Sequence, residues 1–184
     1  MIGSMEEQQV KGTTIIPEIV FVKTKHGEKG WEQVLERVSP LARSHLSQKV
    51  LPITWYPHEV ITSLLDTMVA LYGNGDPRFG HQVGKEGADY GLTLIHRIIL
   101  RLRSPALLAS NGPEVWGMYY QPSTIEVVSN VPGAIAIEAR GLKTTPAHLY
   151  AIAGWMERVA ELTGGKNATV QVEIPTMRFD IGYE

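Results

Sequence analysis

The feature that most constrains this chain is a change of hydrophobic period at Asn111-Gly112-Pro113. Before it, apolar residues return every three or four positions, as one face of a helix requires. Trp31, Val34, Leu35 and Val38 form one such stripe, and Val60, Ile61, Leu64, Leu65, Met68, Leu71 and Tyr72 form a longer one. Leu92, Ile95, Ile98, Ile99 and Leu102 form a third, broken at Ser104-Pro105. After the change, Glu114–Tyr120, Thr124–Ser129 and Ala134–Ala139 are short and rich in β-branched or aromatic residues. Pro122-Ser123 and Pro132-Gly133 separate them, which is the punctuation of an antiparallel meander. One long helix follows from Pro146, carrying Leu149, Ile152, Met156 and Val159, and Gly164-Gly165 stops it. Thr169–Ile174 and Arg178–Tyr183 read as two last strands. The expectation is an α+β fold in the order helices-βββ-α-ββ, with N-terminal helices packed on a C-terminal antiparallel sheet.

Local signals refine the first half. Pro17 suits a first helical turn, so Glu18–Lys25 reads as a short helix stopped at Gly27, with a strand as the alternative over Ile19–Val22. Ser39-Pro40 starts a short helix through Leu46, and Pro57 opens the helix that ends at Gly73-Asn74-Gly75-Asp76-Pro77. Phe79–Gly91 is glycine-rich and reads as a loose or bent helix. A chain of 184 residues suits one domain, expected over 13–184. Residues 1–12 read as a disordered start, with Met1-Ile2-Gly3-Ser4-Met5 resembling a tag remnant.

Composition narrows the partners. The net charge is −2 and there is no long basic run, so nothing asks for nucleic acid. The chain has no Cys, which removes disulfides, thiolate metal sites and a cysteine nucleophile. No apolar run reaches the roughly 20 residues that span a bilayer, and the start lacks the apolar core of a signal peptide. These features fit a cytoplasmic chain.

No complete catalytic motif is present. The His residues are scattered without metal-ligand spacing on one helix, so no metal is expected. His96 lies in an apolar helix one residue off its stripe. It suits either an axial heme ligand or, as a lone histidine more commonly does, a boundary position bonded to a carbonyl or water. Arg97 and Arg101 share a helix face, and Arg103 and Lys85 extend it. That is a solvated face or a patch for an anion or protein partner, because Arg presents a planar fork to such groups. Gly80, Gly84 and Gly87 match neither a Walker loop nor a dinucleotide fingerprint, and close helix packing or a flexible gate explains them better. No Ser lies in a nucleophile elbow. Glu114, Glu126 and Glu138 fall on or near different strands, so their pairing depends on the fold. Trp116, Tyr119, Tyr120, Trp155 and Met156 fall near the sheet–helix junction, as ordinary core or as the lining of an apolar ligand pocket.

The order of these motifs resembles a known superfamily. Phe21-Val22, Gly27-Glu28, Trp31 with Leu35, and Tyr56-Pro57 before an amphipathic helix are similar to the opening of heme-nitric-oxide-binding domains. Pro113 through Tyr120, Val131-Pro132-Gly133, Gly154-Trp155, Leu162 and Gly164-Gly165 resemble the wider group that also holds vinyl-reductase-like and TRAPP-subunit-like domains. Tyr56-Pro57, Gly84, Gly87, Gly91 and Gly154 look most similar to a small myxobacterial paralogous family of this length. The resemblance implies a pocket between helices and sheet that holds heme, a lipid chain or another apolar ligand. The family's Tyr-x-Ser-x-Arg propionate clamp reads here as Tyr120-Gln121-Pro122-Ser123-Thr124-Ile125, with the serine one place late and no arginine. The helix end that would bear the proximal histidine reads Leu102-Arg103-Ser104-Pro105-Ala106. Heme chemistry therefore does not carry over at these positions, and His96 is the remaining candidate ligand.

The expected function is that of a non-enzymatic regulatory or signalling domain, bacterial by its resemblance. It would bind a small apolar or lipid-like ligand, a protein partner, or both, and homodimerise. The rivals are a heme-based gas sensor and an adaptor without ligand. An enzyme stays open as well, because a fold does not fix a function.

Overall fold

The computed structural model describes residues 7–99 and 104–184, without the side chains of 91–99. The chain is α+β, with helices dominating the first half and antiparallel strands around one long helix in the second. It opens on β1 (Gln9–Lys11), which pairs antiparallel with β2 (Trp55–Pro57) and β3 (Tyr120–Gln121). Val10 in the middle of this ribbon is fully buried. Gln9–Lys11, expected in a disordered start, thus form a strand because β2 and β3 take up their backbone groups on either side.

Helix α1 (Gly12–Arg37) begins six residues earlier than the sequence suggests, so Pro17 lies inside it rather than in its first turn. Gly12 fixes that start. Its N–H donates to the Thr54 carbonyl, and a Cβ there would sit 2.1 Å from the Leu51 carbonyl oxygen. Gly27 breaks α1 at φ 71°, a left-handed conformation that glycine takes without a side-chain penalty. The helix resumes because its second half is anchored. The Tyr72 hydroxyl donates to the Gly30 carbonyl at 2.9 Å, and Tyr72 stacks on His26 with centroids 3.6 Å apart. Helix α2 (Pro40–Leu46) follows a cap in which the Ala42 N–H donates to Ser39 Oγ. Helix α3 (Glu59–Tyr72) starts two residues after Pro57, because Pro57 is held in β2.

Helix α4 (Phe79–Ile99) is continuous where a bent helix was expected. Its glycines let it lie against α7 (Pro146–Leu162) at backbone contact. A Cβ on Gly80 would meet the Ala147 carbonyl oxygen at 2.1 Å, one on Gly84 the Ala151 oxygen at 1.8 Å, and one on Gly154 the His81 oxygen at 2.0 Å. The side chains of Leu92, Ile95, Ile98 and Ile99, and Leu102 itself, lie outside the described residues.

Glu114–Tyr120 is not a strand. Pro105–Ser110 and Gly112–Gly117 form the short helices α5 and α6, and only Tyr120 enters β3. Pro113 in the first turn and Glu114 beside it are helix-start signals that outweigh the β-forming side chains after them. The second sheet has the order β4-β5-β7-β6, with β4 (Thr124–Val131), β5 (Ala134–Arg140), β6 (Thr169–Glu173) and β7 (Arg178–Gly182) all antiparallel. The registers Ile125↔Ala139, Val127↔Ile137, Ile137↔Phe179 and Ile135↔Ile181 put one apolar face toward the helices. The outer face carries charge. Glu126 opposes Glu138 directly, and Arg140 bonds both. Among the described residues, no helix is long and apolar enough to cross a membrane.

Candidate functional site

Between the start of α1, the helices α4–α7 and the apolar sheet face lies a cavity of about 120 Å³. Pro17 and Glu18 reach it from α1, Gly84 and Gly87 from α4, and Trp155 and Met156 from α7. Ile135 and Ile137 close it from β5, and Ile181 from β7. The two α4 glycines matter because any side chain there would project toward the cavity or into α7. A Cβ at Gly87 would meet Pro17 Cβ at 3.1 Å.

Trp116, Tyr119, Tyr120, Trp155 and Met156, separated by up to forty positions in sequence, all border this one space. Trp116 and Tyr120 lie with ring centroids 4.4 Å apart, and Tyr119 meets Trp155 edge-on at 5.7 Å. The side chains of His96 and Arg97, and all of Arg101 and Arg103, lie outside the described residues.

Two lining residues escaped the sequence reading. His148, on the first turn of α7, is buried and has both ring nitrogens engaged. Nε2 shares a hydrogen bond with the Tyr120 hydroxyl at 3.1 Å, and Nδ1 shares one with Thr144 Oγ1 at 2.7 Å. Burial and the neighbouring His58 ring hold its pKa well below the usual range, so it stays neutral. His58 itself, 5.0 Å from His148 between centroids, is pushed down to about 4 by burial, and its Nε2 has no partner among the described residues. Glu18 is the second. It is 7% exposed, its Oε2 has no partner among the described residues, and burial pushes its carboxyl up to about 8. At neutral pH it is mostly an uncharged acid. A carboxylate facing inward from a helix was detectable only as Glu18 interrupting the apolar run Ile15–Val22.

The remaining sequence candidates have structural partners. Ser123 accepts a hydrogen bond from the buried Trp116 indole at 3.1 Å. Glu126 and Glu138 face away from the cavity, tied by Arg140, and Glu114 lies on α6. His81 and Lys85 of α4 bond Glu157 of α7, and Lys85 also bonds Glu161. Among the described residues, no three His, Cys, Asp or Glu side chains gather as metal ligands.

Heme is the group this arrangement invites testing. Among the described residues lining the cavity there is no Lys or Arg to neutralise propionates, and the lining histidine has no free ring nitrogen. The space is also below the roughly 300–1,000 Å³ of sites for drug-sized ligands. These residues do not fit a heme.

No family model matches the chain, and no curated protein matches it in sequence. Solved structures do match it in fold. A mutant of the H-NOX protein from K. algicida, in its Fe(II) unliganded state, superposes with a TM-score of 0.73 at 16% identity, over 95% of this chain and 96% of that one. The H-NOX protein from S. oneidensis in its Fe(II)NO ligation state gives 0.69 at 15% identity, over 95% and 99%. An oxygen-binding H-NOX domain related to soluble guanylate cyclases gives 0.61 at 12%, over 95% of each. The chain therefore has the fold of H-NOX domains.

Proposed function

We propose that this chain is a regulatory domain of H-NOX fold that holds a small apolar ligand where the fold's namesakes are described with iron-bound gases. The observation that carries this reading is the cavity itself. It is enclosed by aromatic and aliphatic side chains, its size suits a small molecule, and no cation lines it among the described residues. Trp116, Tyr119, Tyr120, Trp155 and Met156 form its ligand-contacting wall in this proposal. Such a ligand acts as a signal by shifting the packing of α1, α4 and α7, which all reach the cavity, and a ligand shifts an equilibrium only by its differential affinity for the two states. Replacing Trp155 by Ala tests the site. Retention of the co-purifying ligand falls while far-ultraviolet circular dichroism stays unchanged; loss of fold together with ligand would leave the wall unsupported.

A second reading, a heme-based gas sensor, is favoured by the fold likeness over 95% of the chain to proteins described with Fe(II) and NO or oxygen. It needs an iron ligand beyond the described lining, and His96 on α4 is the candidate. Incubation with hemin followed by desalting decides it. A Soret band lost in His96→Ala supports the sensor, and a colourless protein ends it.

The proposal extends to setting and assembly. The span 13–184 acts as one unit, to which β1 adds. The lack of Cys fits the cytoplasm, and the assembly proposed is a symmetric homodimer, the commonest form among soluble oligomers. A protein partner that reads the bound state, engaging Arg97, Arg101 and Arg103, completes the signalling role. The motif order from Pro113 to Gly165 supports kinship with the vinyl-reductase-like and TRAPP-subunit-like branch and with the small myxobacterial family.

A further inference from the structure

Glu18 is the polar group in the cavity that the fold leaves without a task. Tyr120, His148 and Thr144 satisfy one another in a chain, and the Trp116 indole is taken by Ser123. Of the buried side-chain atoms without a partner among the described residues, Glu18 Oε2 alone belongs to a residue lining the cavity. Gly87, across from it on α4, keeps the space beside this carboxyl open, since a Cβ there would lie 4.0 Å from Glu18 Oε1. Leaving a buried polar atom unpaired is costly, and such atoms ordinarily find a protein or solvent partner.

From this geometry we infer that the ligand is an uncharged apolar molecule carrying one hydrogen-bond-accepting oxygen, a ketone, aldehyde or ether, which takes a hydrogen bond from the Glu18 carboxyl. The inference rests on the apolar-ligand reading and names the chemistry of that ligand. Its support is selective. A carboxylate or phosphate ligand would meet an acid with no cation beside it among the described lining residues. A primary ammonium would bring three donors to a space where, of the described lining residues, Glu18 is the one with a fully buried, unpartnered side-chain acceptor. A pure hydrocarbon would leave Oε2 buried and unpaired. A carbonyl or ether oxygen satisfies the acid, and the apolar remainder of the molecule meets the aromatic wall. The acid is in its donating form at neutral pH, because burial among apolar groups holds its proton.

Calorimetric titration of the full chain at neutral pH tests this with three probes of similar size: acetophenone, its planar isostere α-methylstyrene, in which a methylene replaces the carbonyl oxygen, and 1-phenylethylamine. Acetophenone should bind about tenfold more tightly than α-methylstyrene, the weight of one buried hydrogen bond. Glu18→Gln, which still presents a donor, should keep that preference. Glu18→Leu should abolish it while still binding α-methylstyrene. Equal binding of the two neutral probes to the wild-type chain overturns the inference and leaves the apolar pocket standing. Tighter binding of the amine overturns it in favour of an ionised Glu18. Binding of no probe overturns both the inference and the pocket reading.

Discussion

Single buried ionisable side chains dominate how this molecule responds to pH. Glu18 has its carboxyl raised from 4.5 to about 8, so its contribution to stability is full below pH 4.5 and is lost as pH rises through about 8. His58 acts in the opposite sense: lowered from 6.5 to about 4, it favours the fold above pH 6.5 and costs stability as pH falls toward 4. His148 shifts in the same direction as His58. Tyr119 and Tyr120 beside the cavity are pushed upward and stay neutral throughout. Between pH 6.5 and 8, Glu18 is thus the titrating group among these buried neighbours. Glu18→Gln is expected to flatten the fall in urea-unfolding free energy between pH 4.5 and about 8, a change of about 1.4 kcal/mol per pH unit for one fully linked proton. An unchanged slope would show that Glu18 is solvated. His58→Phe should correspondingly weaken the loss of stability between pH 6.5 and 4, measured in the same way, since a neutral ring of similar size has no proton to gain. The sequence offered little warning of either residue. A glutamate or histidine inside an apolar run reads as a surface group until neighbouring elements are known to cover it.

At the level of elements, the α4–α7 contact is the strictest feature. Gly84→Ala would drive a methyl to 1.8 Å from the Ala151 carbonyl oxygen, a clash with backbone that no rotamer relieves. Such overpacking costs about 1–3 kcal/mol and occasionally more, so the melting temperature falls. Gly117→Ala on α6 meets nothing within 4 Å and should change it little. Equal effects of the two would contradict the packing described. Periodicity identified α3 and α7 closely, because a wide apolar stripe bounded by turn residues is a local signal. It failed at Glu114–Tyr120, where Val115, Trp116, Tyr119 and Tyr120 look like strand residues but Pro113 and Glu114 start a helical turn. At Gly27 the local stop signal holds: the backbone leaves helical geometry there at φ 71°, and the second helical segment continues from it, clamped by Tyr72, forty-two positions from Gly30. The strands β1 and β2, three residues each, are too short for any periodic pattern to announce them.

The whole molecule has the fold of H-NOX domains, with a cavity walled largely by aromatic and aliphatic side chains. Its aromatic lining was legible as a cluster of bulky residues at the sheet–helix junction, whereas the enclosure was not, since a cavity is made by backbone spacing rather than by any one residue. Ser123, in the stretch compared with the propionate clamp of the resembled family, holds the Trp116 indole. A cavity with no cation among its described lining residues predicts weak retention of heme and firm retention of a small neutral molecule. Native mass spectrometry of the purified chain, followed by the same sample denatured, tests this most directly. The account predicts a small adduct on the folded chain that disappears on denaturation. A heme adduct, or a folded chain with no adduct, would contradict it.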